Sequence, residues 1–322
     1  MVGMAAAGLT AQRVGRFRLV HQLGSGSTGK VFLATHVGAA GREVALKILD
    51  PAVTARPGFR ERLEHDVRAV STLSHPHILP VYEYGTAGDL TYLAMPLVRG
   101  GTLRDRLQGG RLSAKATWRV LRLVGQALNS AHQAGVVHGD VKPGNVLFDV
   151  YGRVLLADFG LARTHLGFAL GTPGYMSPEA ARGAPVDHRA DVYALAVMVF
   201  EMLTGSRPYT GESPAELLRA TAWAPIPAAR DRCPEVPAGL DGALYRALAK
   251  DPGHRYGTVF ELLWALAPVF DARPRRLPRL PRWRPPPRAH PEEGIFVPSV
   301  LTGSGPQHDK GPRGLEEVEP GA

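Results

Sequence analysis

The densest group of reactive side chains in the sequence is His138-Gly139-Asp140-Val141-Lys142-Pro143-Gly144-Asn145, followed by Asp158-Phe159-Gly160. Two carboxylates thus stand eighteen residues apart, with an amide five residues beyond the first. Carboxylate and amide oxygens suit Mg²⁺, whose octahedron substrate phosphates and waters complete. Asn145 and Asp158 can hold such a cation, which leaves Asp140 to orient a hydroxyl and Lys142 to offset the charge of a phosphoryl group in transit. Each residue alone is compatible with a turn; their joint spacing carries the reading.

Two upstream segments fit the same chemistry. Val44-Ala45-Leu46-Lys47 puts one Lys on an apolar strand, where a buried ammonium is costly unless it faces a carboxylate or a phosphate. Gly24-Ser25-Gly26-Ser27-Thr28-Gly29-Lys30-Val31 joins two strand-like runs. Glycines there let the backbone approach phosphates and leave N–H groups exposed to them. The spacing to Lys and the strand that follows exclude the P-loop motif.

The elements that must position these groups change along the chain. Short β-rich runs are predicted at Phe17–Leu23, Lys30–His36, Glu43–Leu49, Ile78–Tyr84 and Thr91–Pro96. One helix, Phe59–Leu73, interrupts them, with Leu63, Val67, Val70 and Leu73 on its apolar face. Beyond Gly101 the pattern turns helical: Ser113 as N-cap and Gly135 as C-cap bound one long helix. Asp191–Leu203, Ala215–Ala222, Leu240–Leu248 and Val259–Phe270 supply others. The expected fold class is α+β and bilobal, a small β-rich N-lobe with one helix before a larger helical C-lobe.

Composition bounds the alternatives. The chain has 322 residues with 44% hydrophobic residues, enough for two lobes with separate cores. Its most apolar run, Val192–Leu203, is cut by Glu201, so a buried helix is expected rather than a membrane span. The first ten residues lack the basic start of a secretory leader, and a cytoplasmic location is expected. A single cysteine, Cys233, excludes internal disulfides and Cys-based metal sites. Between Ala272 and His290 stand seven Arg, six Pro and no acid. Residues 272–322 are therefore expected to form a disordered tail, with Ile295–Val300 as a short docking segment. The net charge of +9 is spread over body and tail, with nine basic and six acidic residues from Ala272 onward, so no specific nucleic-acid binding is expected, although contact of the tail's Arg residues and Trp283 with anionic surfaces is. Only six of the 38 basic residues are Lys, which points to a high-GC, bacterial genome.

In order and spacing these motifs resemble the protein kinase superfamily, and within it the eukaryotic-like Ser/Thr kinases of bacteria. The resemblance runs from about Phe17 to Phe270 and includes Gly171-Thr172-Pro173-Gly174-Tyr175-Met176-Ser177-Pro178-Glu179, Asp191 and Arg255. It implies a kinase domain over 17–271 (N-lobe 17–97, C-lobe 98–271) after an N-terminal extension, 1–16. It implies ATP and Mg²⁺, with Mn²⁺ as a substitute, and protein substrates with Ser/Thr acceptors, the chain itself included. The phosphates would lie against Gly24, Ser25, Gly26 and Gly29, with Lys47 on the α and β groups. The base would lie between Val31, Ala45 and Leu147 and bond the connector at Val98, with Met95 guarding the rear pocket. The resemblance further implies a Glu179–Arg255 ion pair, Asp191 tying down the catalytic loop, and self-association through the N-lobe.

Two departures from the family pattern stand out. Counting back nine residues from His75 puts Asp66 where a Glu normally pairs with Lys47; Asp is one methylene shorter, and Glu64 on a neighbouring face is the alternative. Gly139 replaces the Arg that receives an activation-loop phosphate, and Thr164 is the only hydroxyl between Gly160 and Gly171. Activity without an obligatory activation-loop phosphate is therefore expected. The rival reading is a pseudokinase that binds ATP as a scaffold.

Overall fold

The computed structural model describes residues 12–26, 28–38, 41–55, 58–159 and 171–270, the side chains of Arg62, Val70 and Thr72 excepted. Thr164, Gly160, Ser27 and the segment 272–322 lie outside the described residues.

Alternating apolar residues build the first half into a six-stranded antiparallel sheet of order β1-β2-β3-β4-β6-β5. Its strands are β1 (Arg13–Val14), β2 (Phe17–Gly26), β3 (Gly29–His36), β4 (Glu43–Leu49), β5 (Glu83–Ala87) and β6 (Leu90–Pro96). A single turn, α1 (Pro51–Thr54), and the helix α2 (Phe59–Thr72) lie between β4 and β5. Period-two alternation splits β4 between two cores. Leu46 and Ile48 join Phe17, Leu19 and Phe32 on the outer face. Ala45 and Leu49 join Leu63, Val67 and Met95 on the inner face, the side to which residue 47 also belongs.

β1 lies within the segment read as an N-terminal extension; it pairs with β2, and Val14 is 1% exposed. One expectation is corrected here. The strand expected at Ile78–Tyr84 begins later, at Glu83. Ile78 instead makes a parallel bridge to Leu156, so the apolar run Ile78–Val81 serves as a connection between lobes and not as a sheet strand.

The second half is helical. Its elements are α3 (Leu103–Gln108), α4 (Ala114–Gln133), a two-stranded hairpin of β7 (Val146–Phe148) and β8 (Val154–Leu156), α5 (Pro178–Ala181), α6 (Arg189–Thr204), α7 (Pro214–Trp223), α8 (Ala229–Arg232), α9 (Leu240–Ala247) and α10 (Val259–Phe270). Ser113 caps α4 by accepting from Ala116 N–H at 3.3 Å. Ala134 is the last residue of that cap, and Gly135 follows at φ 77°, a conformation that favours glycine. α6 is apolar on every side, and every residue from Ala190 to Phe200 is buried. A helix of that kind belongs at the centre of a core, and α4, α9 and α10 surround it. α10 comes so close to α4 that a Cβ on Gly125 would stand 2.8 Å from Leu263 Cδ1.

A bidentate pair seals the base of this lobe. Arg255 donates to Glu179 at 2.8 Å and 2.5 Å, with both side chains buried. Removing one partner of such a pair costs about 3–5 kcal/mol, because the other charge is left without compensation.

At the junction of the lobes, His77 N–H donates to His75 Nδ1 at 3.2 Å, and the two rings meet edge to face. Burial, reinforced by the charge of His77, pushes the His75 imidazole down to about 4. Between pH 6.5 and 4 the unfolded chain therefore holds a proton at His75 that the folded chain does not. This contribution to stability is complete above pH 6.5 and is lost as the pH falls towards 4. The urea midpoint should drop less between about pH 7 and pH 5 in His75→Asn than in the native chain; equal drops would remove His75 as the cause.

Candidate active site

Local geometry explains how residues far apart in sequence meet. The β7–β8 hairpin pairs Val146 with Leu156, and Ala157 N–H donates to the Asn145 carbonyl at 2.9 Å. Asn145 and Asp158 therefore flank the open end of one hairpin. The signal for it is a pair of three-residue apolar runs, Val146-Leu147-Phe148 and Val154-Leu155-Leu156, around Tyr151-Gly152.

Asp140 is held from four directions. Its Oδ1 accepts from the N–H and the hydroxyl of Thr172, each at 2.9 Å. Its Oδ2 accepts from Lys142 and, at 3.2 Å, from Asn145 Nδ2. Lys142 Nζ also donates to Thr172 Oγ1 at 2.7 Å. Lys142, Thr172 and Asp140 thus form a closed triangle that seats the 171–176 loop against the catalytic loop. The kinase resemblance implies that Thr172 belongs to the loop on the substrate side but gives no sign of this contact.

The loop itself hangs from Asp191. This buried carboxylate accepts from the N–H groups of His138 and Gly139 at 2.8 Å each, and from His132 Nε2 at 2.7 Å. Burial pushes its pKa up, but the hydrogen bond and charge of His132 outweigh that, and it falls below the usual carboxylate range. Gly139 has φ 77°, where another residue would be strained by about 1–2 kcal/mol.

Lys47, 4% exposed, donates to Asp158 Oδ2 at 2.7 Å. Burial raises the pKa of Asp158, yet the charge and hydrogen bond of Lys47, with help from His138 and Lys142, bring it below its ordinary value. Asp158 has φ 67°, a conformation that is costly without glycine and is retained where the surroundings force it. The pair expected between Lys47 and Asp66 is not the one formed. Asp66 is buried on α2 beside Leu63 and Val67, with Oδ1 3.1 Å from His65 Nδ1. Its shorter side chain leaves Asp158 as the counter-ion of Lys47. Glu64 pairs with Arg68 on the other side of α2 at 3.6 Å and does not take the role either.

An apolar slot lies beside these charges. Sheet register puts Val31 across from Lys47 and Ala45 across from Met95. Val31, Ala45, Met95, Val98 and Leu147 share one cluster. Behind Met95 is a cavity of about 20 Å³, lined by Val67, Leu79, Leu93, Asp158 and Phe159 among others.

The arrangement fits a nucleotide and a divalent cation. A Cβ on Gly24 or Gly26 would meet nothing within 4 Å, so the loop of β2 faces open space. Gly29 serves the sheet instead, since a Cβ there would stand 2.1 Å from Ile48 O and only glycine lets β3 start against β4. Ser25, between the open glycines, pairs with Lys30. Asn145 spends Nδ2 on Asp140 and Asp158 spends Oδ2 on Lys47, which leaves each with one oxygen for a hard cation. Among the described residues no group of three or more His, Cys, Asp or Glu could hold a metal unaided, so phosphate oxygens must complete the shell.

The family model for the protein kinase domain matches residues 17–261. The chain belongs to the protein kinase family. Among curated relatives, serine/threonine-protein kinase PrkC of Bacillus subtilis is 35% identical over 266 residues, covering 80% of this chain and 41% of the relative. PknB of Mycobacterium tuberculosis, also a serine/threonine-protein kinase, is 36% identical over 280 residues, covering 82% and 44%. The chain thus spans less than half the length of these relatives. The PknI kinase domain of Mycobacterium tuberculosis, solved as a double mutant, superposes with a TM-score of 0.69 at 33% identity, covering 81% of this chain and 98% of that one. The family uses ATP and a divalent metal, and among the described residues no helix is long and apolar enough to cross a membrane.

Asp66 can be tested directly. In Asp66→Ala, Lys47 keeps the Asp158 partner that it has in the structure, and turnover in phosphoryl transfer should stay close to native; Asp66→Glu, longer by one methylene, should keep or raise it. A roughly tenfold loss in the Ala variant would show that Asp66 positions the Lys47 ammonium after all.

Proposed function

We propose that this chain is an ATP-dependent protein serine/threonine kinase that transfers the γ-phosphate to Ser or Thr hydroxyls of proteins, itself included. One observation carries the reading: Asp140, Lys142, Asn145, Asp158 and Lys47 converge beside an apolar slot sized by Val31, Ala45 and Leu147. The names of the relatives support the Ser/Thr assignment and disfavour a scaffold without catalysis. The proposed catalytic domain covers 17–271 together with β1, and 272–322 is the tail. On sequence grounds alone, the reading extends to a cytoplasmic setting, self-association through the N-lobe and contact of the tail with anionic surfaces.

In this mechanism Asp140 orients the acceptor hydroxyl and takes its hydrogen bond; one of its present donors must yield, and Thr172 or Lys142 is nearest to hand. Lys142 then carries positive charge to the phosphoryl group. Lys47 grips the α and β phosphates while the glycines of β2 admit them, and Val98 N–H bonds the base. Asn145 and Asp158 would hold Mg²⁺, or Mn²⁺ in its place, which when bound neutralises charge on the phosphates. Little covalent chemistry falls to the protein, so placement of these groups sets the rate.

The test is transfer of labelled γ-phosphate from ATP to the chain and to a generic Ser/Thr protein, with Mg²⁺, with Mn²⁺ and with chelator. Transfer should need the metal and fall by several orders of magnitude in Asp140→Asn and Lys47→Ala. Prior phosphatase treatment should leave the rate on the added substrate near its starting value, since Gly139 offers no receptor for a loop phosphate. Native-level transfer in Asp140→Asn would overturn the assignment, and a large loss after phosphatase would overturn its independence from the loop phosphate.

A further inference from the structure

Arg207 follows α6 by three residues, and its guanidinium rests on the loop that Thr172 fastens to Asp140. A Cβ on Gly174 would stand 1.6 Å from Arg207 Nη1 and 2.7 Å from its Cζ, so the contact exists only because position 174 has no side chain. The same guanidinium lies 5.8 Å from the centroid of the Tyr175 ring. Arg104, exposed on the first turn of α3, acts on that ring as well: the charges of Arg207 and Arg104 both oppose the rise in the pKa of Tyr175 that burial and Glu201 cause.

Neither arginine has a carboxylate partner among the described residues. Glu201, the acidic group at this place, accepts from the Tyr175 hydroxyl at 2.6 Å. Two cations therefore stand against one carboxylate that is already engaged. Gly174 is two residues from Thr172, whose N–H and hydroxyl touch Asp140. At no more than about 3.6 Å per residue, the Cα of Gly174, on which the guanidinium rests, lies within roughly 7 Å of the Cα of Thr172, the residue bonded to the group that orients the acceptor. A polypeptide whose hydroxyl reached Asp140 would have its neighbouring residues beside Arg207.

We propose that Arg207, assisted by Arg104, is a specificity-determining subsite that selects acceptor segments bearing an anionic side chain within a few residues of the accepted hydroxyl. The inference rests on the protein kinase reading and narrows its substrate class to acidic segments. Guanidinium groups bind carboxylates and phosphates alike, so Asp, Glu or an already phosphorylated residue could supply the anion.

Acceptor peptides identical except for flanking Glu, phosphoserine, Gln or Arg test this with the full chain. The native enzyme should show kcat/KM for the Glu peptide roughly three- to tenfold above the Gln peptide, with the Arg peptide lowest, the range expected of a partly exposed charge pair. Phosphoserine far above Glu would assign the subsite to primed substrates, and parity would assign it to any acidic segment; both support the proposal. Arg207→Glu should invert the order. Gly174→Ala, which expels the guanidinium but keeps the charge on the protein, should bring the Glu-to-Gln ratio towards one. Native preference for the Arg peptide, which would give the subsite to Glu201, overturns the proposal, as does a ratio unchanged in both variants. No transfer to any peptide, with Asp140→Asn indistinguishable from native, removes the kinase reading and this one with it.

Discussion

The catalytic loop depends on one buried carboxylate. Asp191 is 1% exposed, and a charge so placed costs several kcal/mol unless donors surround it. Three do: two consecutive backbone N–H groups, of His138 and Gly139, and the His132 ring. Because Asp191 belongs to the first turn of α6, the most deeply buried helix, the loop inherits the rigidity of the core. His138 extends the arrangement, with Nε2 2.8 Å from the carbonyl of Ala157 and its ring 4.6 Å from that of Phe159. Asp140 and Asp158 are thus referred to the same rigid frame from opposite sides.

Charge inside the cleft is handled by mutual compensation. Lys47 comes from a strand of the N-lobe and Asp158 from the end of a C-lobe hairpin, 111 residues away. Each is the counter-ion of the other, so neither leaves an unpaired charge in the interior. The same economy holds at Asp140, where Lys142 offsets the carboxylate and Thr172 relays between them. Substrate groups must therefore displace existing partners, which ties occupation of the site to the position of the 171–176 loop.

The legible parts of the sequence are those where one physical rule acts alone. β4 and α10 match expectation residue for residue, because alternation in the first and helical apolar spacing in the second meet no competing demand. Asn145 and Asp158 are legible as a set because their spacing reflects one short hairpin, β7–β8, that brings them to its open end. Pairing across the fold is not legible. Asp66 has the right register on α2, yet the reach of its side chain and the approach of α2 to β4 are tertiary quantities. Ile78–Val81 is as apolar as a strand, but its partner is Leu156 of the other lobe. The contact between Gly174 and Arg207 joins residues 33 apart and leaves no periodic trace.

Two glycines near Asp140 show how a missing side chain is used in opposite ways. At Gly139 the benefit is local: the positive φ that points two N–H groups at Asp191 is free of strain, and the loop loses a cation. At Gly174 the benefit is spatial: the vacated volume is filled by the guanidinium of Arg207, and the loop gains one. Thr172 lies between these positions, bonded to Asp140 from the substrate side. The positive charge available to an anion has therefore moved from inside the catalytic loop to the outer face of the 171–176 loop. There it can meet an incoming polypeptide, so the glycine that removes a cation from the catalytic loop and the glycine that admits one beside Tyr175 together leave room for selection of the substrate.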